Sequence, residues 1–257
     1  MFDLHASIAG FTIILLMASA VWLLSLIKND VSIVDSAWSL LIAGAMLGYF
    51  FVLETTGPRT WLMVILVSAW AVRLALHITW RNWGEAEDKR YQAIRERNQP
   101  NFRFKSLYLV FGLQAVLSWI VSLPVLAAMA SQRPPNGLDV FGLALFTFGL
   151  LFEAIADFQL SRFKGDSTNQ GRVMDQGLWR YSRHPNYFGE FCVWWGMFLM
   201  ALAAGGWWSI VSPLLMSILL LKVSGVTLLE KDIHLRRPDY RDYVARTHAF
   251  FPWMPRK

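Results

Sequence analysis

The chain has 257 residues, of which 55% are hydrophobic and only 16% are charged, and its mean hydropathy is +0.38. This composition is too apolar for a soluble domain of ordinary residue usage and indicates an integral membrane protein. The formal net charge is +6, but the basic residues lie in loops between apolar stretches, which is typical of membrane orientation and argues against nucleic-acid binding.

Helical membrane spans need about 20 mostly apolar residues, and such stretches recur along the whole chain. They lie near residues 6–27, 31–53, 60–80, 107–130, 139–161, 187–204 and 207–229. The first has no basic segment before it and no small-residue cleavage site after it, so we expect a retained helix rather than a removable signal peptide. The predicted fold class is therefore an all-α integral membrane protein, with seven transmembrane helices forming one domain over residues 1–257.

The connections between these stretches alternate in charge. Three of them carry almost no basic residues, whereas residues 81–105 hold seven Lys or Arg, residues 162–186 hold five and the tail after Glu230 holds seven. The positive-inside rule predicts that the three basic segments are cytoplasmic and that the N-terminus is outside. The tail mixes aromatic and charged residues, which predicts a cytoplasmic amphipathic segment against the bundle.

Ionisable residues inside membrane helices are costly, so each is a candidate for function. Glu153 and Asp157 share one face of the fifth helix, and Asn186, Glu190 and Trp194 share one face of the sixth. The acidic residues could alternatively pair with arginines only to join helices.

Two further ionisable residues lie in the second and third helices, Asp35 and His77. Each also has a structural interpretation, Asp35 as a charge at a helix N-terminus and His77 as a hydrogen-bonded core histidine. No metal site is predicted, because the five histidines lack ligand spacing and Cys192 is the single cysteine.

The segment from Gly171 to Glu190 holds three arginines and a histidine in a loop, followed by Asn186 at the start of a helix. Guanidinium groups bind phosphate in a bidentate manner. The amide of an asparagine offers a donor and an acceptor, which can pair with a nicotinamide carboxamide. This combination suits a dinucleotide that carries phosphates.

From Phe152 to the C-terminus the sequence resembles the steroid 5-alpha-reductase family, and more closely its short bacterial branch, which implies a bacterial inner membrane. In that family this region binds NADPH within a seven-helix membrane bundle, and the enzyme reduces the carbon–carbon double bond of a 3-oxo-delta-4 steroid. The resemblance implies a cofactor-binding half at about residues 152–257. The residues expected to bind NADPH are Asp157, Arg162, Lys164 (where an arginine is usual), Arg172, Arg183, Asn186, Glu190, Trp194, Glu230, His234, Arg237 and Tyr240.

The substrate side departs from the animal members, which carry a Gln-Glu pair on the second helix and a tyrosine on the third. Here those helices offer Asp35 and His77, which become the candidate catalytic residues that would polarise the carbonyl of a conjugated enone. The expected partner is a steroid or related lipid entering from the bilayer, and the sequence does not fix the oligomeric state.

Two alternatives belong to other classes of protein. The element at residues 183–187 is shared in outline with membrane methyltransferases of the isoprenylcysteine type, which use S-adenosylmethionine. A transporter or scaffold is the third interpretation, although the sequence shows no inverted repeat and no matching pair of broken helices.

Overall fold

The structure, a computed structural model, describes residues 2–54, 56–223 and 239–256. Over these residues it is entirely helical and has no β-strand, which confirms the all-α class. The α-helices are α1 Leu4–Lys28, α2 Ile33–Val52, α3 Pro58–Arg81, α4 Lys89–Arg97, α5 Phe102–Ser106, α6 Leu113–Val121, α7 Leu123–Met129, α8 Gly137–Gly165, α9 Pro185–Ala203, α10 Val211–Ile218 and α11 Tyr240–Arg246. π-helical turns at Leu107–Gly112 and Leu219–Val223 extend α5 into α6 and continue α10.

Five helical stretches in the described part of the chain are long and apolar enough to cross a membrane. They are α1, α2, α3, the continuous stretch Phe102–Met129 and α8, and they correspond to the first five predicted spans. Helix α9 covers the sixth predicted span but carries the polar Asn186 directly after its first residue and Glu190 one turn later. The seventh predicted span corresponds to a shorter apolar stretch, Trp207–Val223, and Val223 is the last described residue of that part of the chain. The protein is therefore an integral membrane protein with at least these five candidate spans.

Within the single predicted domain, the contacts separate two compact units. Unit 1 comprises Met1–Pro135 and Ala201–Ser209, and unit 2 comprises Asn136–Met200 and Ile210–Lys257. In unit 1, α1 and α2 approach closely because a Cβ on Gly48 would lie 2.8 Å from the Cα of Gly10. Next to this contact the fully buried Tyr49 places its hydroxyl 2.5 Å from that of Ser122, which joins α2 to the fourth span.

Unit 2 is built around a contact between α8 and α9 that contains two pairs of glycines. A Cβ on Gly142 would lie 2.7 Å from the carbonyl oxygen of Gly196, and a Cβ on Gly149 would lie 2.6 Å from that of Gly189. The two glycines of each helix are two turns apart and lie on one face, which lets the backbones touch as small residues do in membrane helix pairs. We call this contact the glycine crossing.

Candidate functional site

The predicted cofactor-binding residues of α8 and α9 meet beside the glycine crossing. Gly189 rests on α8 so closely that a Cβ there would lie 2.6 Å from the backbone nitrogen of Glu153. One turn further along α8, the buried Asp157 accepts a hydrogen bond of 3.1 Å from the side-chain amide of Asn186. The structure thus brings Asp157 and Asn186 together as a direct pair.

A second polar pair lies one turn along α9. Glu190 is buried and accepts a hydrogen bond of 2.9 Å from the indole nitrogen of Trp194, which is fully buried. The contact between Glu190 and Trp194 agrees with their predicted position on one face of α9. Asn186, one turn before Glu190, directs its side-chain amide to Asp157 on α8.

The last turn of α8 and the loop from α8 to α9 carry an exposed group of cations. Arg162, Lys164, Arg172 and Arg180 are all exposed to solvent. Arg183 is different, because its guanidinium donates to the backbone carbonyls of Thr247, at 2.6 Å, and of Val244, at 3.3 Å. Arg183, one of the arginines predicted to bind phosphate, therefore binds the backbone near the end of the chain through these two carbonyls.

The same loop is folded back against α8 by two side-chain contacts. The Gln159 side chain accepts a hydrogen bond from the Leu178 N–H at 2.9 Å, and the Trp179 indole donates to the Ala156 carbonyl at 3.0 Å. Gly177 has a left-handed backbone (φ +58), and a Cβ there would lie 2.5 Å from the Gln159 amide. A larger residue at 177 would therefore strain the turn and displace the loop from α8.

The chain end, residues 240–256, forms a segment that we call the C-terminal strap. The strap crosses the loop before α9 and is fixed to it by backbone and side-chain hydrogen bonds. These join the Tyr243 hydroxyl to the Trp179 carbonyl, the Arg183 N–H to the His248 carbonyl (2.9 Å), the Ser182 hydroxyl to the Phe250 carbonyl (2.8 Å) and the Trp253 N–H to the Tyr181 carbonyl (3.0 Å). The predicted Tyr240 is buried in the strap with its ring 5.6 Å from that of Tyr243. The predicted Glu230, His234 and Arg237 lie outside the described residues.

In unit 1, the candidate catalytic Asp35 is bound by residues of α4. Its carboxyl group accepts hydrogen bonds from the Tyr91 hydroxyl at 2.6 Å and from the Arg90 guanidinium at 2.8 Å. Arg90 also contacts Asp88, the N-cap of α4, at 2.9 Å. Asp35 therefore links the start of α2 to an amphipathic helix that lies between the third and fourth spans.

The charges around α4 stabilise one another. Burial alone would raise the pKa of Asp88, but the hydrogen bonds and charge of Arg90 hold that pKa below its usual value. The same holds for Glu87, where burial is outweighed by hydrogen bonds from Arg95 and from the N–H of Val31, so its pKa is lowered. Burial and the neighbouring Asp35 raise the pKa of Tyr91, which keeps its hydroxyl protonated as a donor.

His77, the other candidate catalytic residue, is half-buried on α3 with its ring 6.5 Å from that of Trp80. Within unit 1 the structure therefore gives Asp35 defined partners from α4. Helix α4 and its residues Arg90 and Tyr91 were not predicted from the sequence as parts of this cluster. The available signal was Asp88 as a helix N-cap, followed by the apolar positions Tyr91 and Ile94 at helical spacing.

Comparison with known proteins gives the family of the chain. Residues 21–247 match the family described as "Protein of unknown function (DUF1295)". An uncharacterized protein of Schizosaccharomyces pombe is 25% identical to this chain over an alignment 284 residues long. The alignment covers 98% of this chain and 81% of the relative. No solved structure matches. The chain therefore belongs to the DUF1295 family of membrane proteins, which is related to the steroid 5-alpha-reductase-like proteins.

Proposed function

We propose that the protein is an NADPH-dependent membrane reductase that acts on the carbon–carbon double bond of a conjugated enone in a steroid or related lipid. The observation that carries the proposal is the hydrogen bond between the buried Asp157 and the partly buried Asn186, which flank a group of exposed cations along the chain of unit 2. The relation of the family to steroid 5-alpha-reductase-like proteins supports the same reaction class.

The Asp157–Asn186 pair fits a nicotinamide carboxamide. A side-chain amide has two N–H donors and one carbonyl acceptor, and within the described residues Asn186 uses a single donor, on Asp157. The second N–H and the carbonyl oxygen remain to pair with the acceptor and donor of a carboxamide. Asp157 would fix which way the Asn186 amide points, and buried hydrogen bonds of this kind discriminate well against a wrongly shaped ligand.

The exposed cations fit the phosphates of the same cofactor. Arg162, Lys164, Arg172 and Arg180 are exposed within 19 residues of chain that run from the last turn of α8 into the loop before α9. Arginine binds phosphate in a bidentate manner, and lysine acts as a point charge. These residues would give selectivity for a 2′-phosphate, and hence for NADPH over NADH.

NADPH, when bound, supplies a hydride to the beta carbon of the enone, and the cofactor is oxidised to NADP⁺. Protonation at the alpha carbon completes the saturated ketone. The protein must donate a hydrogen bond to the carbonyl oxygen while negative charge develops there. We assign this role to Asp35, in its protonated form so that it can donate, or to a neutral His77. The Tyr91 hydroxyl, which is hydrogen-bonded to the Asp35 carboxyl group, would hold that group in place.

We also propose the complete membrane arrangement that the loop charges predict. The fold would be a seven-helix bundle with α9 and the chain after Trp207 as the last two spans. The N-terminus would lie outside and the basic loops and C-terminal strap in the cytoplasm of a bacterial cell. Lipid substrate would then enter from the bilayer and the cofactor from the cytoplasm.

The test is ligand binding to the purified protein in detergent, measured by thermal shift and by calorimetry with NADPH, NADH and S-adenosylmethionine. NADPH should stabilise the protein more than NADH does. Asn186→Ala removes the carboxamide contact, and we expect the affinity to fall at least about tenfold, which corresponds to about 1.4 kcal/mol. Arg172→Ala should weaken NADPH binding more than NADH binding.

The matched control is Arg97→Ala, which alters an arginine that is also exposed, at the end of α4, and should leave all three affinities unchanged. The melting temperature of each variant without ligand separates loss of binding from loss of folding. Stabilisation by S-adenosylmethionine with none by NADPH would overturn the proposal and favour the methyltransferase.

A further inference from the structure

The end of the C-terminal strap exposes three large apolar side chains in succession along one short segment. Phe251 is 60% exposed, Trp253 is 70% exposed and Met254 is 71% exposed. Arg256, which follows them, is also exposed. Side chains of this type in contact with water lose the stabilisation of burial, about 25 cal/mol for each Å² of apolar surface.

The backbone of this segment is held in place. Phe250 is buried, with its ring 6.0 Å from that of Phe188 and 5.7 Å from that of Phe191, both near the start of α9. The Trp253 N–H donates to the Tyr181 carbonyl at 3.0 Å. The apolar side chains are therefore presented outward from a fixed backbone.

A continuous series of ring contacts leads from a membrane span to these side chains. Phe148 lies within the candidate span α8 and is 48% exposed. Its ring is 5.3 Å from that of Phe152, which is 5.6 Å from that of Phe188. The ring of Phe188 is 5.9 Å from that of Phe251. The exposed face of the strap thus adjoins the exposed face of a membrane helix.

We propose that residues 251–256 of the strap lie in the interface of the bilayer, with Phe251, Trp253 and Met254 among the phospholipid acyl chains and Arg256 at the phosphates. Aromatic rings and arginine are the side chains that favour this boundary. The strap thereby holds the loop before α9, which it crosses, at the membrane surface.

The backbone hydrogen bonds of the segment suit this environment. Lipid offers no partners for backbone N–H groups, so these must be satisfied within the protein. Pro252 and Pro255 have no N–H, and the N–H groups of Trp253 and Arg256 donate to the carbonyls of Tyr181 and Arg246. The segment can therefore enter the interface with few backbone N–H groups left without a hydrogen-bond partner.

Spin labelling tests the proposal, because Cys192 is the single cysteine and is buried. In a Cys192→Ala background, Trp253→Cys would carry a nitroxide label in the full-length protein, reconstituted in phosphatidylcholine–phosphatidylglycerol vesicles. Electron paramagnetic resonance power saturation then compares collisions with oxygen, which concentrates in lipid, and with a nickel chelate, which stays in water.

Two reference positions set the scale. Leu151→Cys lies on the exposed face of α8 within the span, and Gln170→Cys lies in the exposed loop. We expect the oxygen-to-nickel collision ratio at 253 to be several-fold higher than at 170 and to approach that at 151. A ratio at 253 equal to that at 170 would overturn the proposal.

Met254→Cys provides a second labelling site. This site replaces position 253 if the label at Trp253 prevents purification of a monodisperse protein. The oxygen-to-nickel collision ratio at 254 is then compared with the same two reference positions. A low collision ratio at 254, with a folded protein, would also overturn the proposal. The outcome does not depend on NADPH binding, because the measurement reads only the depth of the strap.

Discussion

Adding one methyl group at Gly149 should force α8 and α9 apart. A Cβ at this position would lie 2.6 Å from the Gly189 carbonyl oxygen, 2.7 Å from the Val193 nitrogen and 2.8 Å from the Cys192 Cβ. Two of these three are backbone atoms and the third is a Cβ, so a rotamer change cannot relieve the contacts. The helices would have to separate, and the packing at Gly142 and Gly196 would loosen as well.

The expected cost follows from two opposing terms. Overpacking against a rigid neighbour costs about 1–3 kcal/mol, and contacts with backbone place Gly149→Ala at the upper end of that range. Alanine also stabilises a helix interior by about 1 kcal/mol relative to glycine. The net loss is therefore about 2 kcal/mol, which corresponds to a melting temperature lower by about 4–8 °C for a chain of this size.

Thermal unfolding in detergent, followed by size-exclusion chromatography of heated samples, measures this shift. Gly165→Ala is the matched control, because Gly165 is the last residue of the same helix and a Cβ there would meet nothing within 4 Å. The control should melt at or slightly above the temperature of the unaltered protein. If Gly149→Ala melted at or above that temperature too, the close approach of α8 and α9 would be refuted.

Two further predictions concern the strap and α4. The buried Tyr243 hydroxyl donates to the Trp179 carbonyl, so Tyr243→Phe should lower the free energy of unfolding by about 1–3 kcal/mol. The control is Tyr181→Phe, which removes a hydroxyl with no hydrogen bond to the described residues and should not shift the melting temperature. The pKa of folded Glu87 lies below its usual 4.5, so its pairing with Arg95 stabilises the docked α4 above pH 4.5 and is lost as the pH falls through the lower, folded-state pKa. Hydrogen exchange over residues 82–98 should accelerate at pH 3 relative to the intrinsic rate, and Glu87→Gln should reduce that pH dependence and leave the part that comes from Asp88 and Arg90.

The membrane class and the first five spans could be predicted from the sequence, because hydrophobic length and loop charge report directly on burial in lipid. The predicted 107–130 span and the observed Phe102–Met129 differ at the start. The structure begins this span at α5, which the π-helical turn at Leu107–Gly112 joins to α6 without interrupting the helix. Helix α5 lies before the predicted start, and hydropathy does not distinguish it from a loop. Helix α4 was missed because it is short and polar.

In the candidate site, helical spacing was enough to place Glu190 and Trp194 in contact, since residues four apart on a helix adjoin. The Asp157–Asn186 pair depends on the glycine crossing, which brings together two helices that a loop of 19 residues, 166–184, separates along the chain. The role of Arg183 depends on the strap, about 60 residues further along. Such long-range partners are set by tertiary packing, and local patterns do not encode them.

The order of the two units along the polypeptide has a consequence for biosynthesis. The chain leaves unit 1 after Pro135 and returns to it only at Ala201–Ser209, where Trp208 packs against Phe2 with ring centroids 5.0 Å apart. A ribosome must therefore translate α8 and α9 before unit 1 has all its parts. For the same reason no single break in the gene yields two intact halves: a break after codon 135 deprives unit 1 of its last segment, and a break after codon 209 divides unit 2.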